Sequence, residues 1–564
     1  MDTLSTQLLI AIFLPLLGAA LLWVVQPLGR DAVRYTALAV TVITLLLAIN
    51  LCVNYSRAVQ TDPAAATSGE IARTSYAWLA PSIGVIDVKF SVALDGLGVW
   101  MFGLSAVLMF TSVLVSWEAI KEREALFYAM LLLLEFGCLG VFTARDLLLF
   151  YIFFEFTLIP LFFLIGIWGS EQRRYAAIKF FLFTLAGSML TFLGLLAIVV
   201  WDYQNQMAAN KVLEFDIADL VERMQVHPLP PVWQLTIFIA LFAGFAIKVP
   251  LFPLHTWLPL AHVQAPTAGS VILAGILLKI GVYGFLRFSI PLLPDATVYC
   301  VPFLLWLSVA GIIYGALVAL AQTDIKRLIA YSSVSHLGVC MVGLFALNPL
   351  GVQGSVLQMV NHGISTGALF AIVGMVYERY HTRQLADLSG LAYRTPWIGF
   401  FMVFFTFSSI GVPALNGFAG EFLILAGMFQ RAFADAPSAM RTQWMLISVL
   451  SVSSMVLGAW YMLYLVRQVF FGPLKEPAEA THHHVEDMSW REIISLAPLA
   501  VLALWIGLAP QHFLQPMAPA IEQAYKSAAE RIGQPYQASD PRAAAPQNNT
   551  PPLTKTPEAI ARVR

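Results

Sequence analysis

Charge is scarce in this chain. Of its 564 residues only 12% are charged, whereas 59% are hydrophobic, and a soluble protein carries about 25% charged residues. A water-soluble fold could not bury so much apolar surface, so lipid must surround most of the chain. Basic tracts are also lacking, and the net charge of −1 gives no reason to expect binding to nucleic acid.

Cysteine is equally sparse, and the spacing of its copies excludes the usual metal motifs. Cys52, Cys138, Cys300 and Cys340 lie far apart, within or beside apolar runs. Neither a CxxC motif nor the Cys/His spacing of an iron–sulfur or zinc site occurs. We therefore expect buried, inert thiols and neither a cofactor nor a metal site in this chain.

Long apolar runs dominate what remains. About fourteen of them can cross some 30 Å of hydrocarbon. The first, near residues 7–25, lacks the basic start of a signal peptide and is interpreted as a spanning helix. The sequence thus predicts an all-α polytopic membrane protein. Two longer connections, residues 56–91 and 203–232, mix polar residues with proline and should lie outside the bilayer.

Lysine and arginine are unevenly distributed between the alternate loops of the predicted spans. The richer set should face the cytoplasm, because cytoplasmic loops carry an excess of positive charge. Both termini would then face the periplasm, and we expect a multi-pass protein of a bacterial inner membrane. The richer set contains Arg30, Arg34, Lys121, Arg123, Arg173, Arg174, Lys326, Arg327, Arg379, Arg383 and Arg394.

Proline and glycine interrupt two predicted spans midway. Residues 244–259 read GFAIKVPLFPLHTWLP, and residues 408–425 read SSIGVPALNGFAGEFLIL. Proline breaks a helix, and broken backbone is tolerated at membrane depth only where it is buried or lines a polar cavity. Interrupted helices at matching places in two halves indicate an inverted-repeat transporter, although two unrelated proline kinks would give the same pattern.

Five segments follow from these features. Each of the two five-helix repeats would hold its broken helix in fourth position, and the tail has too few large apolar residues to order itself. The segments are residues 1–117 with spanning helices 1–3, residues 118–297 as the first repeat (helices 4–8), residues 298–471 as the second, inverted repeat (helices 9–13), residues 472–533 with a loop, the last span and a membrane-proximal segment, and residues 534–564 as a disordered tail.

Four ionisable side chains interrupt the apolar spans: Glu155, Lys248, Lys279 and Glu421. A charge at mid-membrane costs about 2.5–3.5 kcal/mol on insertion scales, so such residues are functional candidates by default. Structural ion pairs between helices are the alternative interpretation. Lysine suits a proton relay, because burial favours its neutral form and a nearby carboxylate favours its charged form.

Histidines extend this set. His336 and His362 lie inside predicted spans, and His255 follows the first break. Imidazole relays protons because it titrates near neutral pH, although each could instead form a hydrogen bond at a helix crossing. His262 is expected in a loop and has a weaker case. The histidine run 482–484 resembles a metal-binding tract, but a solvated loop is the preferred interpretation.

Three stretches around these residues resemble one family of membrane proteins. They are KVPLFPLHTWLPLAHVQAPTAGSVILAGILLKIGVYGFLRF (residues 248–288), QTDIKRLIAYSSVSHLG (322–338) and NHGISTGALF (361–370). The stretches resemble the antiporter-like, proton-pumping membrane subunits of NADH:quinone oxidoreductase, or respiratory complex I. The resemblance runs from about residue 90 to 510.

The resemblance implies a role for each candidate. Glu155 matches the fifth-helix glutamate that controls the pumping lysine, and Lys248 matches that lysine on the broken helix. Lys279 matches the connecting lysine of the eighth helix, and Glu421 the terminal proton-exit residue of the twelfth. Glutamate there is typical of the NuoM type (subunit M, or chain 4), whereas NuoL-type and NuoN-type relatives usually carry lysine. With His336, these residues should form a hydrated line at mid-membrane.

The resemblance also implies partners. A subunit of this kind couples redox energy released in other subunits to proton transfer. Flavin mononucleotide, iron–sulfur clusters and quinone are expected in those partners, with NuoL-type and NuoN-type subunits as neighbours within the lipid membrane. The alternatives are an Mrp-like Na⁺/H⁺ antiporter subunit and the pump subunit of a membrane-bound hydrogenase or formate-linked complex.

Overall fold

Long apolar helices make up most of the protein. The computed structural model describes residues 3–61, 69–79, 85–206, 211–434, 440–477 and 485–532. Within these ranges, thirteen helices are long and apolar enough to cross a membrane. The predicted polytopic helical fold is confirmed. The tail predicted for residues 534–564 and the histidine run 482–484 lie outside the described residues.

The helices are numbered here in chain order, and a broken or kinked span keeps one label where its two parts are continuous. The first nine are α1 Thr3–Val25, α2 Arg30–Thr61, α3 Val99–Ala119, α4 Glu124–Thr143, α5 Leu147–Trp168, α6 Arg173–Asn205, α7 Ile217–Val226, α8 Pro231–Lys248 and α9 Trp257–Gln264. The others are α10 Thr267–Leu292, α11 Pro294–Leu320, α12 Ile325–Phe345, α13 Pro349–Tyr380, α14 Pro396–Ser409, α15 Asn416–Phe433, α16 Arg441–Phe470, α17 Trp490–Leu508 and α18 Gln511–Ala529.

Both breaks that proline and glycine predict are present. The first separates α8 from α9, and the second separates α14 from α15. Because α14 has only 14 residues, it cannot span alone, and α14 and α15 together supply the remaining predicted crossing. In the two groups α4–α10 and α11–α16, the broken span is the fourth to cross. The chain enters these groups from opposite sides of the membrane.

A small sheet, which the sequence analysis did not predict, lies at one end of the helices. Its strands are β1 Glu70–Leu79, β2 Ile86–Asp95 and β3 Leu213–Glu214, in the order β1-β2-β3. β1 and β2 are antiparallel, and β2 and β3 are parallel. The sheet therefore joins the two connections that were expected outside the bilayer. We call this side of the membrane the sheet side, and the opposite side, which holds the lysine- and arginine-rich loops, the basic side.

Buried charges fasten the sheet to the helices. The Asp95 carboxylate at the end of β2 accepts from Arg287 Nη2 at 2.5 Å and forms an ion pair with Arg145, whose Nη1 lies 3.1 Å away. Burial alone would raise the pKa of Asp95, but the two guanidinium groups outweigh it and hold that pKa at about 2. The triad therefore links β2, the start of α5 and the end of α10.

The final helix, α18, folds back against the sheet side. Its apolar face is buried, including Phe513, Met517 and Ile521. The Trp100 indole donates to the Phe513 carbonyl at 3.0 Å, and the Tyr55 hydroxyl donates to the Pro516 carbonyl at 3.3 Å. The membrane-proximal segment predicted after the last span is thus a packed amphipathic helix.

Burial separates central from peripheral helices. The apolar stretches of α10 and α13 that could cross the membrane are wholly buried inside the protein. Those of α1 and α2 are only 39% buried. Peripheral helices therefore meet lipid, and α10 and α13 form the centre. Polar side chains on central helices are shielded from lipid and surrounded by protein, which is where charged groups cost least.

Candidate functional site

The first break exposes backbone groups that side chains then satisfy. α8 ends at Lys248, and the chain turns through Pro250 before α9 begins. The Leu251 amide donates to the Ala246 carbonyl at 2.9 Å, and the Trp257 indole donates to the Ile247 carbonyl at 2.9 Å. Backbone groups at this depth need partners within the protein. These two bonds supply partners for carbonyl groups in the last turn of α8, so the helix can end inside the membrane.

Lys248 lies at that open end. Its side chain is 2% exposed, and its Nζ is 4.8 Å from the centre of the Phe154 ring. Glu155 is the next residue on α5, partly buried beside Ser188 and Tyr151, and the charges of Glu155 and Lys248 act on each other. No ion pair within 4.0 Å joins them in the described part of the chain, so the two groups are coupled at longer range.

The second break is held by a cluster of polar side chains. Asn361 on α13 donates to the Asn416 carbonyl at 2.7 Å, Asn416 returns a bond to the Asn361 carbonyl at 3.2 Å, and Ser408 donates to the Asn416 side chain at 2.6 Å. Gly417 has no room for a side chain, because a Cβ there would lie 2.0 Å from the Ser408 carbonyl oxygen. The start of α15, four residues before Glu421, is therefore fixed against α13 and α14.

Four predicted residues form a connected line. Lys279 Nζ on α10 lies 2.7 Å from His362 Nδ1 on α13. The His362 and His336 rings are 5.6 Å apart, and His336 Nδ1 on α12 lies 3.1 Å from Glu421 Oε1 on α15. All four side chains are at most 5% exposed. We call these residues, Lys279, His362, His336 and Glu421, the central line.

Polar groups surround the far end of the central line. Gln358 donates to Glu421 Oε1 at 3.1 Å. The Tyr461 hydroxyl and the Ser409 hydroxyl lie 3.2 Å and 3.4 Å from His336 Nε2. Both nitrogens of His336 and the carboxylate of Glu421 thus have partners, which allows either group to hold or release a proton without losing every hydrogen bond.

Lys279 owes its position to irregular backbone in α10. Two π-helical segments, Leu273–Leu277 and Phe285–Ser289, flank it. Such segments interrupt the usual ladder of helical hydrogen bonds and occur often at functional sites. Lys279 Nζ donates to the Ala274 carbonyl, five residues earlier, so the irregular turn supplies a second partner for the ammonium group.

His255 does not join the central line. Its ring lies 5.1 Å from that of Tyr314 and 6.3 Å from that of Tyr331, on the face of the first break directed towards α11 and α12. Among the described residues, no contact connects it to Lys248 or Lys279. The geometry therefore separates His255 from the other candidate residues. It places His362, by contrast, in the central line.

His262 is a residue that the sequence analysis undervalued. It was expected in a loop, but it lies on α9 with 0% exposure, stacked 4.5 Å from the Phe370 ring. Neither ring nitrogen has a hydrogen-bond partner within the described ranges, and the charges of Lys326 and Lys279 both act on it. The stretch WLPLAHVQ could have indicated a short helix, in which His262 lies about a turn and a half after Trp257.

A cavity on the basic side leads towards His262. Its volume is 1320 Å³, and its lining includes Lys326, Glu378, Arg379 and Arg491. Lys326 is 5% exposed and donates to the Ala265 carbonyl at 2.6 Å, one turn from His262. The Ser270 hydroxyl of α10 donates to the His262 carbonyl at 3.2 Å, nine residues before Lys279. The cavity, Lys326 and His262 therefore all lie on the basic side of the central line.

Comparisons with known proteins identify the family of the chain. The family described as NADH:quinone oxidoreductase/Mrp antiporter, TM, matches residues 144–458. NADH-quinone oxidoreductase subunit M of Rhodobacter capsulatus is 39% identical over 90% of this chain and 94% of its own length. A chain of respiratory complex I from Thermus thermophilus with bound NADH has a TM-score of 0.76 and 31% identity over 92% of this chain and 99% of its own.

A more distant likeness concerns the fold alone. A chain of the Mrp complex from Dietzia sp. DQ12-45-1b has a TM-score of 0.72 at 22% identity, covering 94% of this chain and 52% of that one. The matches to subunit M, by contrast, extend over nine-tenths of both sequences at close to 40% identity. The chain belongs to the family of the M subunits of NADH-quinone oxidoreductase, within the wider NADH:quinone oxidoreductase/Mrp antiporter family.

Proposed function

We propose that this chain is the proton-translocating membrane subunit of an NADH-quinone oxidoreductase of the complex I type. The observation that carries the proposal is the central line, whose ends are hydrogen-bonded pairs of titratable groups buried among spanning helices. Redox energy released in partner subunits reaches the line as an electrostatic or conformational change. The chain converts that change into proton movement, with no covalent chemistry of its own.

Proton transfer along the central line needs only small movements. The Lys279 ammonium donates to His362 Nδ1 and can hand its proton to that nitrogen. The imidazole then releases a proton from Nε2 towards the neighbouring His336 ring, and His336 passes one from Nδ1 to the Glu421 carboxylate. Each imidazole gains a proton on one nitrogen and loses one from the other. The ring is then left as the opposite tautomer, and a ring flip or tautomer exchange restores it before the next transfer.

Glu155 and Lys248 act as the switch that loads this path. An ionised carboxylate stabilises the charged lysine, and its withdrawal or protonation lets burial favour neutral lysine. The two side chains interact without a direct ion pair, so a modest shift of α5 changes their coupling. The inverted five-helix repeats predicted from the sequence would place this switch and Glu421 at corresponding broken spans.

The direction of transfer follows from the distribution of charge. If the basic side faces the cytoplasm, the cavity beside Lys326 takes up protons there and release occurs at the Glu421 end, towards the periplasm. Both termini then lie on the periplasmic side of a bacterial inner membrane. The packing of α18 on the sheet side is consistent with this arrangement.

Redox chemistry is assigned to partner subunits. The four cysteines lie on separate elements, an arrangement that does not suit the cysteine ligands of an iron–sulfur cluster. Flavin mononucleotide, iron–sulfur clusters and quinone are expected in the partner subunits. NuoL-type and NuoN-type subunits are the expected neighbours. The partly exposed face of α5 and α6 around Glu155 offers one of them a route by which to influence the Glu155–Lys248 switch.

The decisive experiment measures NADH-driven proton uptake in vesicles that contain the purified complex. Lys248→Met and Glu155→Ala should each reduce uptake strongly while the complex stays assembled. The double variant should lose little more than either single variant, because coupled residues are not additive. Lys526→Met, on the exposed face of α18, is the matched lysine control and should pump normally.

Three results would contradict the proposal or a part of it. Normal uptake by the assembled Lys248→Met complex would exclude the lysine from the relay. Losses that multiply in the double variant would show that Glu155 and Lys248 act independently. If NADH dehydrogenase activity did not copurify with the tagged chain at all, an Mrp-like antiporter or a hydrogenase-linked pump would replace the complex I assignment.

A further inference from the structure

Helix α4 carries a carboxylate that the central line does not use. Glu135 lies near the middle of this spanning helix and is 0% exposed. Both of its carboxylate oxygens lack a hydrogen-bond partner, and no ion pair reaches it, within the described ranges. Burying a carboxyl group in a spanning helix is costly, and a group without partners returns no stability to the fold.

Glu135 belongs to a stripe that faces the interior. Tyr128, Leu131, Glu135, Cys138 and Phe142 recur at intervals of three and four residues, and all are buried. At the sheet end of the stripe, Phe142 meets a tyrosine ring of α10 at 5.2 Å. Phe142 of the stripe therefore faces α10, whereas Gly140 of α4 packs on Phe153 of α5.

Cys138 connects this stripe with the first break. Cys138 is three residues from Glu135 on the same face, and the charges of Glu135 and of Lys248 both act on its thiol. Nearby on α4, Gly140 packs on Phe153 of α5, and the neighbouring Phe154 ring lies 4.8 Å from Lys248 Nζ. This part of α4 therefore lies at the depth of Lys248.

A second unpartnered group lies on the same stripe, closer to the basic side. The Tyr128 hydroxyl is buried and has no hydrogen-bond partner in the part of the chain that the structure describes. It is seven residues, or about 10 Å of helix, from Glu135. The charges of Arg34 and Arg491 act on it, and Arg491 lines the 1320 Å³ cavity.

We propose that Glu135 carries protons on a second branch, which runs from the cavity on the basic side past Tyr128 to Lys248. This inference rests on the proposed function. The Glu135 carboxylic acid gives its proton to the neutral Lys248 amine, which leaves a carboxylate and an ammonium ion. The carboxylate then regains a proton from the cavity side by way of the Tyr128 hydroxyl, which donates one proton and accepts another.

A proton-carrying role explains what a structural role does not. A buried structural carboxyl group is normally paired or hydrogen-bonded, as Glu492 is with Arg379. Both oxygens of Glu135 instead lack a protein partner within the described ranges. The central line begins at Lys279 and does not contact Lys248. The second branch would therefore supply protons to Lys248.

The test compares Glu135→Gln, Glu135→Asp and the control Glu522→Gln, which changes an exposed glutamate of α18, in the assembled complex. NADH-driven proton uptake should fall about tenfold or more in Glu135→Gln, recover in part in Glu135→Asp, and stay normal in the control. Infrared difference spectra should show a protonated carboxylic acid band that changes during turnover and disappears in Glu135→Gln.

The outcomes separate this inference from the proposed function. If the wild type pumps, Lys248→Met does not, and Glu135→Gln pumps normally, the second branch is refuted while the proposed function stands. If the wild type fails to pump, the proposed function fails first. Should Glu135→Gln not assemble, the wild-type infrared spectrum decides: a carboxylic acid band that is constant during turnover overturns the proposal.

Discussion

Replacement of His362 tests the central line at its best-defined contact. Lys279 can only donate hydrogen bonds when charged, so His362 accepts at Nδ1 over 2.7 Å. His362→Ala removes this acceptor and leaves the buried ammonium with the Ala274 carbonyl. A hydrogen bond to a charged group contributes about 1.5–3 kcal/mol, which corresponds to a loss of roughly 10- to 150-fold in the population of charged Lys279.

His362→Asn separates acceptance of a hydrogen bond from transfer of a proton. The asparagine carbonyl can occupy the place of Nδ1 and accept from Lys279, but an amide has no second nitrogen that takes up and releases protons at neutral pH. If the ring is a relay, both variants should lose proton uptake while the complex remains assembled. If the ring only supports Lys279, the asparagine variant should recover most of the activity.

The assay is NADH-driven proton uptake in vesicles, normalised to the amount of assembled complex. His227→Asn is the matched control, because His227 is exposed beyond the end of α7, away from the cavity and the central line. Normal uptake in His362→Ala would refute the whole argument. Full recovery in His362→Asn would refute the relay alone and assign His362 to the positioning of Lys279.

Three further predictions concern Glu421, the second break and the junction of the sheet with the helices. Glu421→Gln should block proton release and so abolish most NADH-driven proton uptake in vesicles, whereas Glu421→Lys should keep part of the activity because related subunits usually carry lysine there. Gly417→Ala should cost activity in an assembled complex, since its Cβ would meet a carbonyl oxygen of α14. Asp95→Asn should destabilise the subunit by about 3–5 kcal/mol, measured by thermal unfolding, because Arg145 and Arg287 would keep buried charges without their shared partner. The pKa of Asp95 lies below its ordinary value, at about 2, so its stabilisation should persist above pH 4 and disappear as pH falls towards 2.

Much of the fold and of the site could be predicted because lipid makes the sequence informative. Apolar runs mark spans, and any charge or proline inside one needs a special reason. This logic identified both breaks and placed Lys279, His336 and Glu421 among the candidates. It could not order them, because order depends on which faces of α10, α12, α13 and α15 meet in the interior.

The features that the sequence analysis missed share a physical cause. The three-stranded sheet depends on a pairing between residues more than a hundred positions apart, such as Ile86 with Leu213, and short strands give weak local signals. His262 was placed in a loop because α9 has only eight residues. Glu135, by contrast, interrupts the apolar run LLLLEFGCLG as clearly as Glu155 interrupts its own, and the same criterion applied evenly would have found it.

The depth of the central line decides how protons must move through the chain. Lys279 and His362 each lie thirteen residues from the sheet-side ends of their helices, Glu421 twelve and His336 nine. At 1.5 Å per residue all four lie about 14–20 Å from those ends, so the line runs parallel to the membrane rather than across it. Protons must therefore enter at one end and leave at the other, through separate routes to opposite sides. The cavity beside Lys326 lies on the basic side and is lined by none of these four residues, so exchange of protons with the two sides can alternate without an open channel crossing the membrane.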